Sequence, residues 1–301
     1  MGRRIAVVLV SWLALAGLAW GADHQTYIRP IQQSIPVAGL TQVLVQNLVG
    51  PVTIQTQDTD TVQVEILIHA GGPDDTFART LAQQLNFQIE NVNGQLRVVG
   101  QYPLDHFRDY GYPKMKSVMW IHGTDSTVYD GQKVFIRSVG SKKAIELWAE
   151  VRVTLPASLG LVIRNTYGDV ELRGGSGPTA TGSLDGFTEV GDFTVYRPRW
   201  TDLKLESDYG KVEFTDGLGV AHDIHLNTDV GGTYIDLPPG ATGKIVAHKD
   251  LGFLHNNVTD GKFTKDADGN SVLLLGDGHG PVVHVEMSVG SLHLQKVGDA
   301  N

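Results

Sequence analysis

Apolar and polar residues alternate with a period of two in short runs along most of this chain, and a glycine recurs in a constant frame between those runs. The clearest copies are residues 203–214 (LKLESDYGKVEF, around Gly210) and residues 224–235 (IHLNTDVGGTYI, around Gly231). Others centre on Gly50, Gly168, Gly191, Gly252 and Gly290. Seven positions before the glycine stand Val43, Leu161, Leu184, Leu203, Ile224, Ile245 and Val283. Immediately before it stand Val49, Tyr167, Val190, Tyr209, Val230, Leu251 and Val289. Two positions after it stand Val52, Val170, Phe193, Val212, Thr233, Leu254 and Leu292. From Gly168 onward the glycines are 23, 19, 21, 21 and 38 residues apart, the last close to two periods.

Period-two alternation on both sides of each glycine predicts two short strands, each burying one face. The glycine supplies a bend at φ > 0 without a Cβ clash. Two positions before it stand the turn-forming residues Thr166, Glu189, Asp208, Asp229, Asp250 and Ser288. A unit of about 20 residues cannot bury its apolar face alone, so copies must stack. The predicted fold is all-β, a solenoid-like stack of strand–glycine turn–strand rungs. A plain antiparallel meander is the alternative that also repeats glycine turns.

The early region is less regular. Gly72-Pro73-Asp74-Asp75 caps one short helix near 75–86, with Phe77, Leu81 and Leu85 spaced four apart. Asn93-Gly94 between two alternating runs predicts a hairpin. Residues 102–147 break the pattern, and 151–155 resume it as a strand ended by Pro156. Asp266-Ala267-Asp268-Gly269-Asn270 reads as a turn leading into the strand 272–275. Because the Gly50 copy matches the later ones, residues 22–301 are read as a single domain with an insertion at 102–147.

Residues 1–21 have the form of a secretory leader: basic Arg3-Arg4, an apolar run from Ile5 to Leu18, and small Ala19 and Gly21 before the expected cut ahead of Ala22. The apolar run is shorter than the ~20 residues of a membrane span. The expected destination is the periplasm, cell surface or medium. The 301-residue chain has no cysteine, which excludes disulfides, thiolate metal sites and cysteine nucleophiles, and it carries 36 glycines. Its formal charge of −9 becomes −11 once Arg3 and Arg4 leave with the leader. That balance argues against nucleic acid as a partner.

Leader, early Gly-Pro-Val-Thr-Ile unit at 50–54, Val-Thr-Leu-Pro strand at 153–156 and repeated turns such as Gly168-Asp169-Val170-Glu171-Leu172 together resemble the bacterial putative-adhesin, or toast-rack, domain family. The resemblance covers residues 38–101 and 148–295. It implies an exported or membrane-tethered β-strand stack without defined catalytic residues. The insertion at 102–147 departs from the family's short linker.

Catalytic signatures for serine hydrolases, zinc proteases and phosphate-binding loops do not occur. Gly276–Gly280 opens no helix and reads as a hairpin turn. Stacked in register, Glu189, Asp208, Asp229 and Asp250 would form an acidic column at the ~4.8 Å strand spacing. Such a column suits Ca²⁺, the one ion the sequence suggests, although aspartate is equally at home in a solvated turn. The eleven histidines read as solvated strand residues. His222 and His225 would share a face only on a helix, and His255 and His293 occupy the same outward frame position. No other cofactor is implied.

The insertion holds Tyr102, Phe107, Tyr110, Tyr112, Trp120 and Tyr129. Two arrangements suit these rings: a lid over an open end of the stack, or a platform for a glycan or partner chain. Trp120 is expected to be buried and Tyr110 and Tyr112 at least partly exposed. The candidate interaction surface is therefore Tyr110, Tyr112 and Trp120 with Asp208, Asp229 and Asp250. The leading function is a non-enzymatic interaction module of the cell envelope, with an envelope protein or glycan as partner. A polysaccharide-active enzyme on a β-helix and an envelope-stress sensor domain are the alternatives.

Overall fold

The structure is a computed structural model and describes residues 24–113, 126–141, 143–175, 182–218, 222–258 and 262–296. The leader at 1–21 and Trp120 lie outside the described residues. The elements in chain order begin with β1 (Gln25–Pro36), β2 (Gln42–Val49), β3 (Val52–Thr56) and β4 (Thr61–Gly72). The helix α1 (Asp75–Ala82) is followed by β5 (Asn86–Val92), β6 (Gln95–Gln101), β7 (Asp109–Tyr112), β8 (Ser126–Tyr129) and β9 (Gln132–Ser138). Next come β10 (Ile145–Leu155), β11 (Gly160–Tyr167), β12 (Val170–Arg173), β13 (Ser183–Val190), β14 (Phe193–Tyr196), β15 (Asp202–Tyr209) and β16 (Val212–Thr215). The last are β17 (Asp223–Leu237), β18 (Gly243–Asn256), β19 (Thr264–Lys265), β20 (Ser271–Leu275) and β21 (Val282–Lys296).

Each rung has a leading arm before its glycine and a trailing arm after it. Leading arms pair in the order β6–β2–β11–β13–β15–β17–β21–β18, parallel at every step. Trailing arms run β10–β3–β12–β14–β16–β17–β21–β18, again parallel throughout. Parallel pairing excludes the meander and establishes an all-β, solenoid-like stack that curls as one sheet. In the three longest rungs, β17, β18 and β21, the strand continues through the glycine.

Residues at −7, −5 and −3 from each glycine and at +2 and +4 face inward. In the Gly210 rung these are Leu203, Leu205, Ser207, Val212 and Phe214, all buried. The −3 position is polar yet buried in five rungs, as Asn47, Asn165, Thr188, Ser207 and Thr228. Four of these reach a bend carbonyl: Asn165 Nδ2 donates to Gly168 O at 2.7 Å and Ser207 Oγ to Gly191 O at 3.0 Å. Asn47 Nδ2 donates to Gly50 O at 3.3 Å and Thr188 Oγ1 to Gly168 O at 3.2 Å. A buried carbonyl left without a donor is costly, which is why an apolar core accepts this polar column.

The bends themselves stack in contact. Gly50, Gly168, Gly191, Gly210, Gly231 and Gly252 all lie at φ between 119° and 155°, whereas Gly290 does not adopt positive φ. A methyl group on Gly210 would stand 2.0 Å from Gly191 O, and one on Gly231 would stand 1.6 Å from Gly210 O. The rungs pack too closely at the bend for any side chain.

Among the seven glycine rungs the spatial order differs from the chain order at one place. β21 lies between β17 and β18, so the Gly290 rung separates the rungs of Gly231 and Gly252. The 38-residue spacing is not two periods stacked in sequence. It is a late rung inserted between two earlier ones.

At the Gly50 end the sheet is extended by antiparallel neighbours: β5 beside β6, and β4 then β1 beside β10. The Asn93–Gly94 turn has both residues left-handed, φ 53° and 86°, as a two-residue hairpin turn requires. Helix α1 packs on β1 and β4. Asp74 caps it by accepting the Phe77 N–H at 2.8 Å. It is shorter than the expected 75–86, because β5 begins at Asn86. Phe77 is exposed and lies over Gly72, leaving Ala78, Leu81 and Ala82 as the buried face. The 266–270 turn is a hairpin, with Asp266 Oδ1 accepting the N–H groups of Asp268 and Asn270.

Candidate interaction surface

The insertion forms β7, β8 and β9 with order β10–β7–β9–β8, continuing the sheet rather than standing off it as an irregular loop. Its described tyrosines turn inward. Tyr102 Oη donates to Asn47 Oδ1 at 2.9 Å, and Tyr129 Oη donates to Gly100 O at 2.7 Å. Tyr102 meets Tyr110 and Tyr129 edge-on, and Tyr112 meets Trp148 and Tyr167 edge-on. Burial pushes the phenols of Tyr102, Tyr110, Tyr112 and Tyr129 upward. The expectation that Tyr110 and Tyr112 are partly exposed is therefore corrected: both are buried. The partners of Tyr112, Trp148 and Tyr167, lie on β10 and β11 outside 102–147, where a local reading of the insertion could not find them. Neither tyrosine can belong to an interaction surface.

These rings cover one end of an apolar column. The residue before each bend is buried at Val49 and Tyr167, half-buried at Val190, Tyr209 and Val230, and exposed at Val289 (47%) and Leu251 (66%). Phe253, just past the Gly252 bend, is 70% exposed. The column thus runs from under the insertion to a bare terminal rung. Among the described residues no strand pairs with the outer edge of 249–256, because β20 reaches only as far as Ala247.

Beside it runs the acidic column at −2. Glu189 is raised above the ordinary carboxylate range by burial, and accepts a hydrogen bond from Thr127 Oγ1 of β8. Asp208 is pushed up to about 6 by partial burial and by the neighbouring charges of Asp229, Glu206 and Glu189. Asp229 then meets Ser288, whose hydroxyl lies 3.4 Å from Asp229 Oδ1. Asp250 does not adjoin Asp229, because the Gly290 rung intervenes. The column is three carboxylates followed by a hydroxyl, with Asp250 set apart on the last rung.

On the outer face of the trailing arms, +3 residues form a stack of rings. Tyr234 and His293 lie 4.6 Å apart at 5°, and His293 and His255 lie 4.6 Å apart at 15°. Burial, and then the proximity of His255, lower the His293 imidazole below its usual value. Phe253 shares this face with His255, their ring centres 6.2 Å apart. The leading-arm face also brings Asp223, His225 and His284 together, a cluster that inspection of one strand at a time does not disclose.

No helix among the described residues is long and apolar enough to cross a membrane. No protein-family profile and no curated protein matches the chain. Solved structures do align with it. A "putative cell adhesion protein" from Clostridium sporogenes aligns over 90% of this chain and 100% of its own, with 13% identity and a TM-score of 0.45. A "putative adhesin" from Bacteroides fragilis covers 89% of this chain and 97% of its own, at 9% identity and a TM-score of 0.27. A "putative lipid binding protein" from Parabacteroides distasonis covers 89% and 96%, at 11% identity and a TM-score of 0.21.

Proposed function

We propose that this chain is an exported, non-enzymatic, adhesin-like interaction module of the bacterial cell envelope that engages an envelope protein or glycan through its terminal rung. The observation that carries this reading is the uneven cover on the apolar column: tyrosines seal it at Val49 and Tyr167, while Val289, Leu251 and neighbouring Phe253 stand bare. Exposed apolar side chains of this size, contiguous and rimmed by polar residues, mark contact sites on protein surfaces. The bordering Tyr234, His293 and His255 rings add flat surfaces with polar edges, which suit sugars and peptides. Export rests on the leader-like residues 1–21.

The test is binding of the 22–301 chain to glycan arrays and to isolated envelope fractions, beside a Leu251→Asp/Phe253→Asp variant. Loss of binding with an unchanged melting temperature is expected. Equal binding by the variant removes the terminal rung from the surface. New reducing ends released from a polysaccharide, and abolished by Asp208→Ala or Asp229→Ala, would replace this reading with the enzymatic one.

A further inference from the structure

We propose that Asp223, His225 and His284 form a surface site for a divalent transition-metal ion of the zinc class, bridging the rungs of Gly231 and Gly290. Asp223 and His225 are two residues apart on β17 and so share one face of the sheet. His284 is the in-register partner of His225 on β21. The three side chains each offer one ligand atom, and those atoms all lie within 4.8 Å of one another. Asp223 Oδ1 is 3.3 Å from His225 Nε2, and the two imidazoles are stacked with centres 4.8 Å apart at 9°.

Bonds of about 2.0–2.2 Å to a tetrahedral ion place ligand atoms about 3.3 Å apart. The Asp223–His225 pair already has that separation. His284 closes the remainder by rotation about its own side-chain bonds, since Asp223 and His225 are exposed and His284 is half-exposed. The backbone beneath does not need to move. β17 and β21 pair in one register from Asp223 opposite Val282 to Leu237 opposite Lys296, interrupted only at Asp229 and Ser288, well away from the site.

Two imidazoles and one carboxylate are the donors of Zn²⁺, Cu²⁺ or Ni²⁺ sites, whereas Ca²⁺ and Mg²⁺ take oxygen ligands almost exclusively. The surroundings agree with this. Asp202 stands opposite Asp223 on β15 and adds negative charge. Lys204, opposite His225, is engaged by Glu206, with Nζ 3.6 Å from its carboxylate. On the other side Val246 faces His284 and contributes no charge. The fourth coordination position opens to solvent and takes water. The stacked His255 and His293 pair has no carboxylate in its cluster, and it serves as the internal comparison.

The experiment titrates the untagged full chain with ZnCl2 by calorimetry and follows its melting temperature. One equivalent of Zn²⁺ is expected to bind and raise the melting temperature, because the ion binds only the folded arrangement. CaCl2 is expected to raise it by nothing. His225→Ala and His284→Gln should each weaken Zn²⁺ binding at least tenfold and abolish the shift, while melting unchanged from wild type in EDTA. His293→Ala should leave the binding intact. Cu²⁺ bound at the same site should show two nitrogen ligands by electron paramagnetic resonance. The proposal fails if neither Zn²⁺ nor Cu²⁺ binds saturably, or if His293→Ala removes the binding and His284→Gln does not.

Discussion

Gly252 rests on Gly290 so closely that a methyl group on the former would stand 1.5 Å from the carbonyl oxygen of the latter. Gly290 approaches Gly231 O in the same way, at 1.7 Å. Proximity and backbone conformation are separate demands here, since Gly252 and Gly231 adopt positive φ and Gly290 does not.

That separation gives the first prediction. Gly290→Ala should cost several times the ~1 kcal/mol of an ordinary glycine replacement, although its backbone region is open to alanine. Gly39→Ala is the control, because Gly39 has φ 84° but nothing within 4 Å of the added methyl. Urea melts of the two variants measure the difference, and equal losses would show that the rungs can part at the bend.

A second prediction concerns the tyrosines of the insertion. Tyr102→Phe removes the hydroxyl that serves Asn47 Oδ1 and Val49, all of them buried, and should cost about 1–3 kcal/mol. Tyr110→Ala should cost about 3–5 kcal/mol as a buried aromatic deletion. Chemical denaturation checks both, and a Tyr110→Ala variant as stable as wild type would place that ring outside the core.

The acidic column predicts a pH effect of defined sign. Asp208 titrates near 6 in the folded chain, above an unfolded aspartate. Between about pH 4 and pH 6 the folded state holds more protons than the unfolded one, so this residue's contribution to stability falls as pH rises through that window. Asp208→Asn should therefore raise the melting temperature at pH 7 and lose that advantage by pH 4. Glu189, Glu206 and Asp229 are the charges facing it. A gain that is larger at pH 4 than at pH 7 would reverse the argument.

The rung frame was legible because its physical demands are local. A glycine at the bend and apolar residues at −7, −1 and +2 follow from one strand's own geometry. The polar −3 column was present in the same alignment, as Asn47, Asn165, Thr188, Ser207 and Thr228, but alternation alone assigns no reason to bury it. Its reason is the bend carbonyl, which becomes visible only with the rungs in contact. The burial of Tyr112 depends on Trp148 and Tyr167, and the acidic column is interrupted by Ser288. Both depend on which strands are neighbours. His225 and His284 occupy the same frame position, six before their glycines, yet their meeting required knowing that the Gly231 and Gly290 rungs adjoin.

The position of β21 between β17 and β18 also dictates an order of assembly. The rungs from Gly168 to Gly231 each lie against the rung before them in the chain, whereas the β18 rung precedes the strand it must lie against. It has to wait, without the neighbour that helps bury Ile245 and Ala247, until residues 282–296 take their place beside β17. Shortening the chain to end at residue 281 should accordingly release β18 together with the missing strand, and hydrogen exchange would show amides 244–256 losing protection while those of β11 through β16 keep theirs.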